Sequence, residues 1–239
     1  MKNGPGTFVV VDGMDGSGKS TVIEMLKLEL IAELFDVVTT REIGGTPIAE
    51  ALRKLCFQTR PDEPLNSSAQ TLMAFAARLQ HTEHVIRPAI ESGKLVLSDR
   101  YSSSTHVYQG ILRREKALVN ALEGEFKGCG MVLDPDIYIY LNPKPEIAYA
   151  RGVTREGLDN DAFKKNEQQA RAIHAAYEVV FSRIRQQKQS TVLEIDTGCS
   201  MEELREKIKA VAKAIAAVSA IRVPAILMQQ RARLNALKF

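Results

Sequence analysis

Gly13-Met14-Asp15-Gly16-Ser17-Gly18-Lys19-Ser20, with Thr21 following, is the stretch on which the fold turns. It fits GxxxxGK[ST], and each position has a physical reason. Glycines at 13, 16 and 18 let consecutive backbone N–H groups, including that of Ser17, converge on an anion without Cβ obstruction. The helix expected from Lys19 adds the positive end of its dipole. Lys19 can reach the β- and γ-phosphates of a nucleoside triphosphate, and the Ser20 hydroxyl can ligate Mg²⁺. A glycine turn with no ligand is the plain alternative.

The flanks agree with the cradle. Residues 7–12 (TFVVVD) read as a buried strand, and a helix should run from about Lys19 to Leu34. Further strands are expected at about 36–41, 94–100, 136–141 and 191–196. The longer segments between them read as helices, among them 67–91, 102–126 and 161–187, with a last one from about 201. Thr46 is a candidate cap for a short helix through Leu55, and Ser92-Gly93 should end the long one. Leu204, Ile208, Val211 and Ile215 form an apolar stripe, and Pro224 should bend or break that helix. Alternating strands and helices predict a parallel sheet with helices on both faces, the three-layer α/β sandwich of P-loop NTPases.

Leu95-Val96-Leu97-Ser98-Asp99 is an apolar strand ending in a carboxylate. Asp99 is therefore a second metal-side candidate, its alternative being a loop cap. A second pocket is expected at the carboxyl ends of the strands. Arg41 and Glu42 follow the second strand. Arg100, Ser104, Thr105, Tyr108 and Gln109 follow the third, and Phe75 and Arg78 share a helix face. Arginine forks beside neutral hydrogen-bonding groups suit a phosphate joined to a base. Arg78, Tyr108 and Gln109 also read as ordinary surface, and Phe75 as core. His81 and His84, in HTEH, read as helix surface rather than metal ligands.

Composition excludes several classes. With 239 residues, 45% hydrophobic and 26% charged, this is the profile of a globular domain. Its apolar runs fall far short of the ~18 residues of a membrane span. The N-terminus is too polar for a signal peptide. A net charge of +3 is too small to argue for nucleic acid. Cys56, Cys129 and Cys199 have no metal-like spacing and read as reduced thiols of a cytoplasmic protein. Residues 221–239 carry Arg222, Arg231, Arg233 and Lys238 without an acid. They are expected to form a basic extension beyond a domain at 1–220.

The stretches VDGMDGSGKST (11–21), REIGGTPIAEALR (41–53), RLQHTEHVIRPAIESGKLVLSDRYSSSTHVYQG (78–110) and PDIYIYLNPKPEIAYAR (135–151) together resemble the thymidylate kinase family. The resemblance implies strand order 2-3-1-4-5, phosphoryl transfer from ATP to dTMP, Mg²⁺ dependence and a homodimer. It makes Asp15 the aspartate near the acceptor sugar and phosphate, Arg78 the arginine that reaches the pyrimidine, and Arg100 the arginine on the acceptor phosphate. Arg41 and Glu42 match the family's Arg-Glu, and Ser104, Thr105, Tyr108 and Gln109 the lining of base and sugar. A lid is expected at about 150–163, with Arg155 as its catalytic arginine. The chain departs from the family at Ile43, where proline is usual, at Ala74, where a base-stacking phenylalanine is usual, and at Asn160, a common lid arginine position. Two alternatives stay open at this level: a deoxynucleoside-monophosphate kinase of broader or different base specificity, and a nucleotide-binding switch without kinase activity.

Overall fold

The computed structural model describes residues 5–58, 61–153 and 166–236, with side chains to residue 219. Five parallel strands form its sheet: β1 Thr7–Asp12, β2 Val37–Arg41, β3 Leu95–Asp99, β4 Ile137–Leu141 and β5 Thr191–Ile195. Their order, β2-β3-β1-β4-β5, is the one the family resemblance implies.

The three central strands, β1, β3 and β4, are almost continuously apolar because helices cover both their faces. Alternate residues serve opposite cores. Val9, Val11, Leu95, Leu97, Ile137 and Ile139 pack on helices α1 (Lys19–Ala32) and α9 (Met201–Ala236). Phe8, Val10, Val96, Tyr138 and Tyr140 pack on the other layer, where α8 (Glu167–Gln187) supplies Tyr177 and Phe181. The expected stripe of α9 is seated, with Leu204, Ile208 and Ile215 buried.

Local capping explains several boundaries. Thr46 Oγ1 accepts from Ala49 N at 3.1 Å and starts α2, Pro47–Phe57, with Pro47 in its first turn. Asn66 caps α3, Ser67–His81, in the same way. Three expectations need correction. The single helix over 67–91 is α3, a widened π-helical turn at Thr82–Ile86, and α4 at Arg87–Glu91. The helical region at 102–126 is α5 (Ser102–Thr105), a second π-helical segment at His106–Leu112, and α6 (Lys116–Gly128). A 3.6-residue repeat cannot announce such turns, because each changes the phase of the helix only locally. The last helix continues through Pro224 to Ala236 rather than breaking there.

Candidate active site

Backbone register brings the carboxyl ends of three strands level. Val11, Asp99 and Arg41 are ladder partners across β1, β3 and β2. The ladder extends one step further, with Arg100 N donating to Val11 O at 2.9 Å and Glu42 N to Asp99 O at 3.0 Å. The glycine turn after β1 therefore stands beside the turn after β3.

In the turn, Gly18 adopts a left-handed conformation (φ 91°) just before α1, Lys19–Ala32. Gly16 (φ 79°) lies so close to helix α7, Pro145–Val153, that a Cβ would come within 1.9 Å of the Ala148 carbonyl oxygen. Only glycine fits there. Lys19 Nζ folds back over the turn, donating to the carbonyls of Gly13 and Met14, each at 3.0 Å. Burial, and then the nearby Arg100 guanidinium, lower its pKa from 10.5 to about 8. Asp15, Asp99 and Asp12 offset this only in part, and an arriving polyphosphate would add further counter-charge. Ser17 is buried, while Ser20 and Thr21 at the start of α1 are exposed.

Arg100 is the centre of the second half. Its backbone is left-handed, with φ 71°. Nη1 donates to Asp12 Oδ1 (3.3 Å), Gly13 O (3.3 Å), Ser104 Oγ (2.8 Å) and Tyr177 OH (2.6 Å), and Nη2 donates to Asp15 Oδ1 at 2.6 Å. Burial opposes its charge, but Tyr177, Tyr108, Asp15 and Asp12 outweigh it and hold the pKa well above the ordinary value. Asp12 itself has no exposed surface.

A buried pair forms the far wall. Arg78 Nε donates to Glu42 Oε2 at 2.9 Å, and its Nη2 donates to Thr105 Oγ1 at 2.7 Å. The guanidinium carbon stands 5.1 Å from the Phe75 ring centre and 4.8 Å from that of Tyr101. His81, expected at the surface, is fully buried instead. Its ring nitrogens meet Thr40 Oγ1 (2.6 Å) and Glu42 Oε1 (3.3 Å), so polar residues of the β2 end satisfy it and draw it inward. His84 is exposed as expected.

One cavity of about 340 Å³ joins these parts, and both Lys19 and Arg100 line it. Of the residues singled out from sequence, Asp15, Gly16, Gly18, Ser20, Arg41, Glu42, Arg78, Asp99, Ser104, Thr105, Tyr108 and Gln109 line it too. Gly13, Ser17 and Thr21 belong to the turn or its helix without lining the cavity. Phe75 is 2% exposed and turned on Phe126, ring centres 5.9 Å apart, rather than on the cavity. Arg41 is exposed and forked onto Glu50. Arg155 and most of the expected lid lie outside the described residues.

Sequence reading missed Arg53, Phe57, Gln70 and Arg113, which also line the cavity. The helical spacing of Arg53 and Phe57, i and i+4, could have paired them, and Arg53 does lie 5.1 Å over the Phe57 ring. Asp12 and Tyr177 were missed as well. Arg151 donates twice to Thr197 O (3.1 Å each), and Thr197 Oγ1 donates to Ser17 O (2.7 Å), tying the segment after β5 to the cradle.

The donor set for a metal is a hydroxyl and a carboxylate. Asp99 Oδ1 is buried with no hydrogen-bond partner among the described residues, and Asp99 shares the cavity with Ser20. Such hard oxygen ligands, few in number, fit Mg²⁺, which keeps waters and takes its other ligands from phosphates. No group of three or more His, Cys, Asp or Glu side chains is poised to hold a metal among the described residues. No helix there is long and apolar enough to cross a membrane.

The chain is similar to known proteins along most of its length. The family model described as thymidylate kinase matches residues 11–208. A thymidylate kinase of Glaesserella parasuis serovar 5 (strain SH0165) is 41% identical over 158 residues, 64% of this chain and 73% of that protein. One from Ectopseudomonas mendocina (strain ymp) is 33% identical over 210 residues, 86% of this chain and 94% of that protein. The crystal structure of thymidylate kinase from Ehrlichia chaffeensis shares the fold, with a TM-score of 0.62 and 24% identity over 87% of this chain and 98% of that one.

Proposed function

The chain belongs to the thymidylate kinase family, and from that premise we propose that it transfers the γ-phosphoryl group of ATP to the phosphate of dTMP, giving dTDP and ADP for dTTP synthesis. The observation that carries this reading is the shared cavity: Lys19 at the triphosphate cradle and Arg100 at the acceptor side open into one space. Two polyanions must meet end to end, so positioning and charge neutralisation are the main catalytic tasks.

The glycine turn and Lys19 hold the β- and γ-phosphates, and Arg100 takes the acceptor phosphate. Arg78, Thr105, Tyr108 and Gln109 receive the base and sugar, beside Asp15. Mg²⁺ would be held through Ser20 and by Asp99, directly or through water, and when bound it neutralises charge on the transferring phosphoryl group. No general base is needed, because the acceptor phosphate is already largely ionised near neutral pH. A lid at about 150–163, carrying Arg155, would exclude water and complete the charge on the phosphoryl group. The basic stretch 221–239 remains an extension to the kinase domain at 1–220.

A homodimer is supported by the exposed apolar side chains Ile48, Leu55 and Leu72 on the paired helices α2 and α3, and by Leu65 just before α3. A cytoplasmic setting is supported by three free cysteines. A coupled assay of ADP release across dTMP, dUMP, dGMP, dCMP and AMP tests the acceptor. dTMP is expected to rank first, and turnover that no nucleotide stimulates would defeat the kinase reading.

A further inference from the structure

Tyr177 lies in the middle of α8, 77 residues from Arg100, and its side chain does not line the cavity. Its hydroxyl nevertheless sits at the junction of the acceptor-side network. It accepts from Arg100 Nη1 at 2.6 Å and donates to Asp12 Oδ1 at 2.9 Å, with Ser104 Oγ 3.1 Å away. A phenol has one proton, so these two bonds fix its direction. Burial pushes the Tyr177 pKa well above its ordinary value, which keeps that proton in place.

The ring is as constrained as the hydroxyl. Tyr177 is 1% exposed. It stacks on Tyr140 and Phe181, with centres 6.1 and 6.3 Å away and interplanar angles of 18° and 15°. Its other neighbour, Tyr108, meets it edge to face at 6.3 Å, and Arg100 lies over the Tyr108 ring at 5.5 Å. Packing against β4 and within α8 therefore positions an acceptor atom where the Nη1 end of Arg100 must go.

The other acceptors of Nη1 come from the end of β1, the turn after it and the short helix α5, all close to Arg100 in the chain or in the sheet. Tyr177 is the contribution of a separate layer. The two Nη1 protons are shared among four acceptors, and one Nη2 proton goes to Asp15, so Nε and the second Nη2 proton are left as the donors for an anion. Nε meets no acceptor among the described residues.

We propose that the Tyr177 hydroxyl is a positioning residue for phosphoryl transfer, setting the rotation of the Arg100 fork so that its remaining donors face the acceptor phosphate. The proposal rests on the kinase reading above and deepens it. Tyr177 touches neither substrate; it acts through Arg100.

Tyr177→Phe keeps every ring contact and removes only the hydroxyl. With whichever acceptor the wild-type enzyme uses best, its KM is expected to rise about tenfold while the KM for ATP stays within about twofold, the size of one lost hydrogen bond to a charged group. In an Arg100→Met background the same exchange should change acceptor affinity, read by calorimetric titration, by less than about twofold, because residues acting in series are not additive. Thermal melting of each variant, with assays run well below the lower midpoint, separates this from lost stability. Three results overturn the proposal: an unchanged acceptor KM, an equal rise in both KM values, or a full Tyr177→Phe effect persisting without Arg100. A wild-type enzyme that phosphorylates no nucleotide would instead overturn the kinase reading.

Discussion

Glu42→Gln should be the most damaging isosteric change in the acceptor pocket, and the reason lies in what it leaves behind. Glu42 is 6% exposed and Arg78 3%. Among the described residues the carboxylate is the one anion that directly meets the Arg78 guanidinium, at 2.9 Å, while its other oxygen faces His81 at 3.3 Å. Glutamine retains an acceptor oxygen but removes the charge, so Arg78 would remain buried with two neutral hydrogen bonds and two ring faces but no adjoining counter-charge among the described residues. Breaking a buried pair from one side costs about 3–5 kcal/mol, and the retained hydrogen bond puts this change near the lower limit. For a chain of this size each kcal/mol moves the midpoint by roughly 2–4 °C, so the expected fall is about 6–12 °C. Arg78→Met in the same protein removes the stranded cation and fills the space between Phe75 and Tyr101. The double variant should therefore recover at least about 2 kcal/mol relative to the sum of the single changes. Chemical denaturation of the four proteins measures the cycle. A Glu42→Gln midpoint within about 2 °C of wild type, or strict additivity, would refute the assignment of a buried, mutually dependent pair.

Lys19 gives a pH prediction. Its pKa in the nucleotide-free fold is about 8, against 10.5 for the free side chain. Between those values the unfolded chain binds more protons than the folded one, so this group's contribution to stability rises with pH across that window. Its burial penalty is felt in full below pH 8. Binding of ATP should restore the ammonium, so calorimetry above pH 8 should show proton uptake and affinity falling up to about tenfold per pH unit, an effect absent in Lys19→Arg. No uptake at pH 9 would contradict it. Gly16→Ala should lose measurable ATP binding by titration, since its Cβ would strike the Ala148 carbonyl. Gly124→Ala, in α6 with nothing within 4 Å, should raise stability by about 0.5–1 kcal/mol.

The sheet, its helical cover and the cradle were readable because each has a local signature. Strands β1, β3 and β4 are short apolar runs, and the GxxxxGK[ST] spacing admits one geometry. Thr46 announced its helix by its type and place. What escaped reading was set by distance along the chain. Tyr177 and Asp12 are 165 positions apart, and nothing in AAYEVV or VVVDGM marks a partner. His81 was misread because its neighbours in HTEH are polar, whereas its own environment is made by Thr40 and Glu42 from another element. Phe75 is the reverse case: an aromatic one position from the family's stacking site, it serves the contact with α6.

Arg100 shares its left-handed backbone with Leu34, Arg114 and Lys188. The other three are ordinary sites for glycine. Leu34 is 94% exposed just past the end of α1, where Phe35 N returns to Leu30 O, the arrangement that usually closes a helix with glycine. A programme of thermostabilisation that replaced strained non-glycine positions would gain at those three. Applied without discrimination it would also relax residue 100, and the hardier protein would have surrendered the arginine fork. At that position backbone discomfort is retained because the side chain it carries has no substitute.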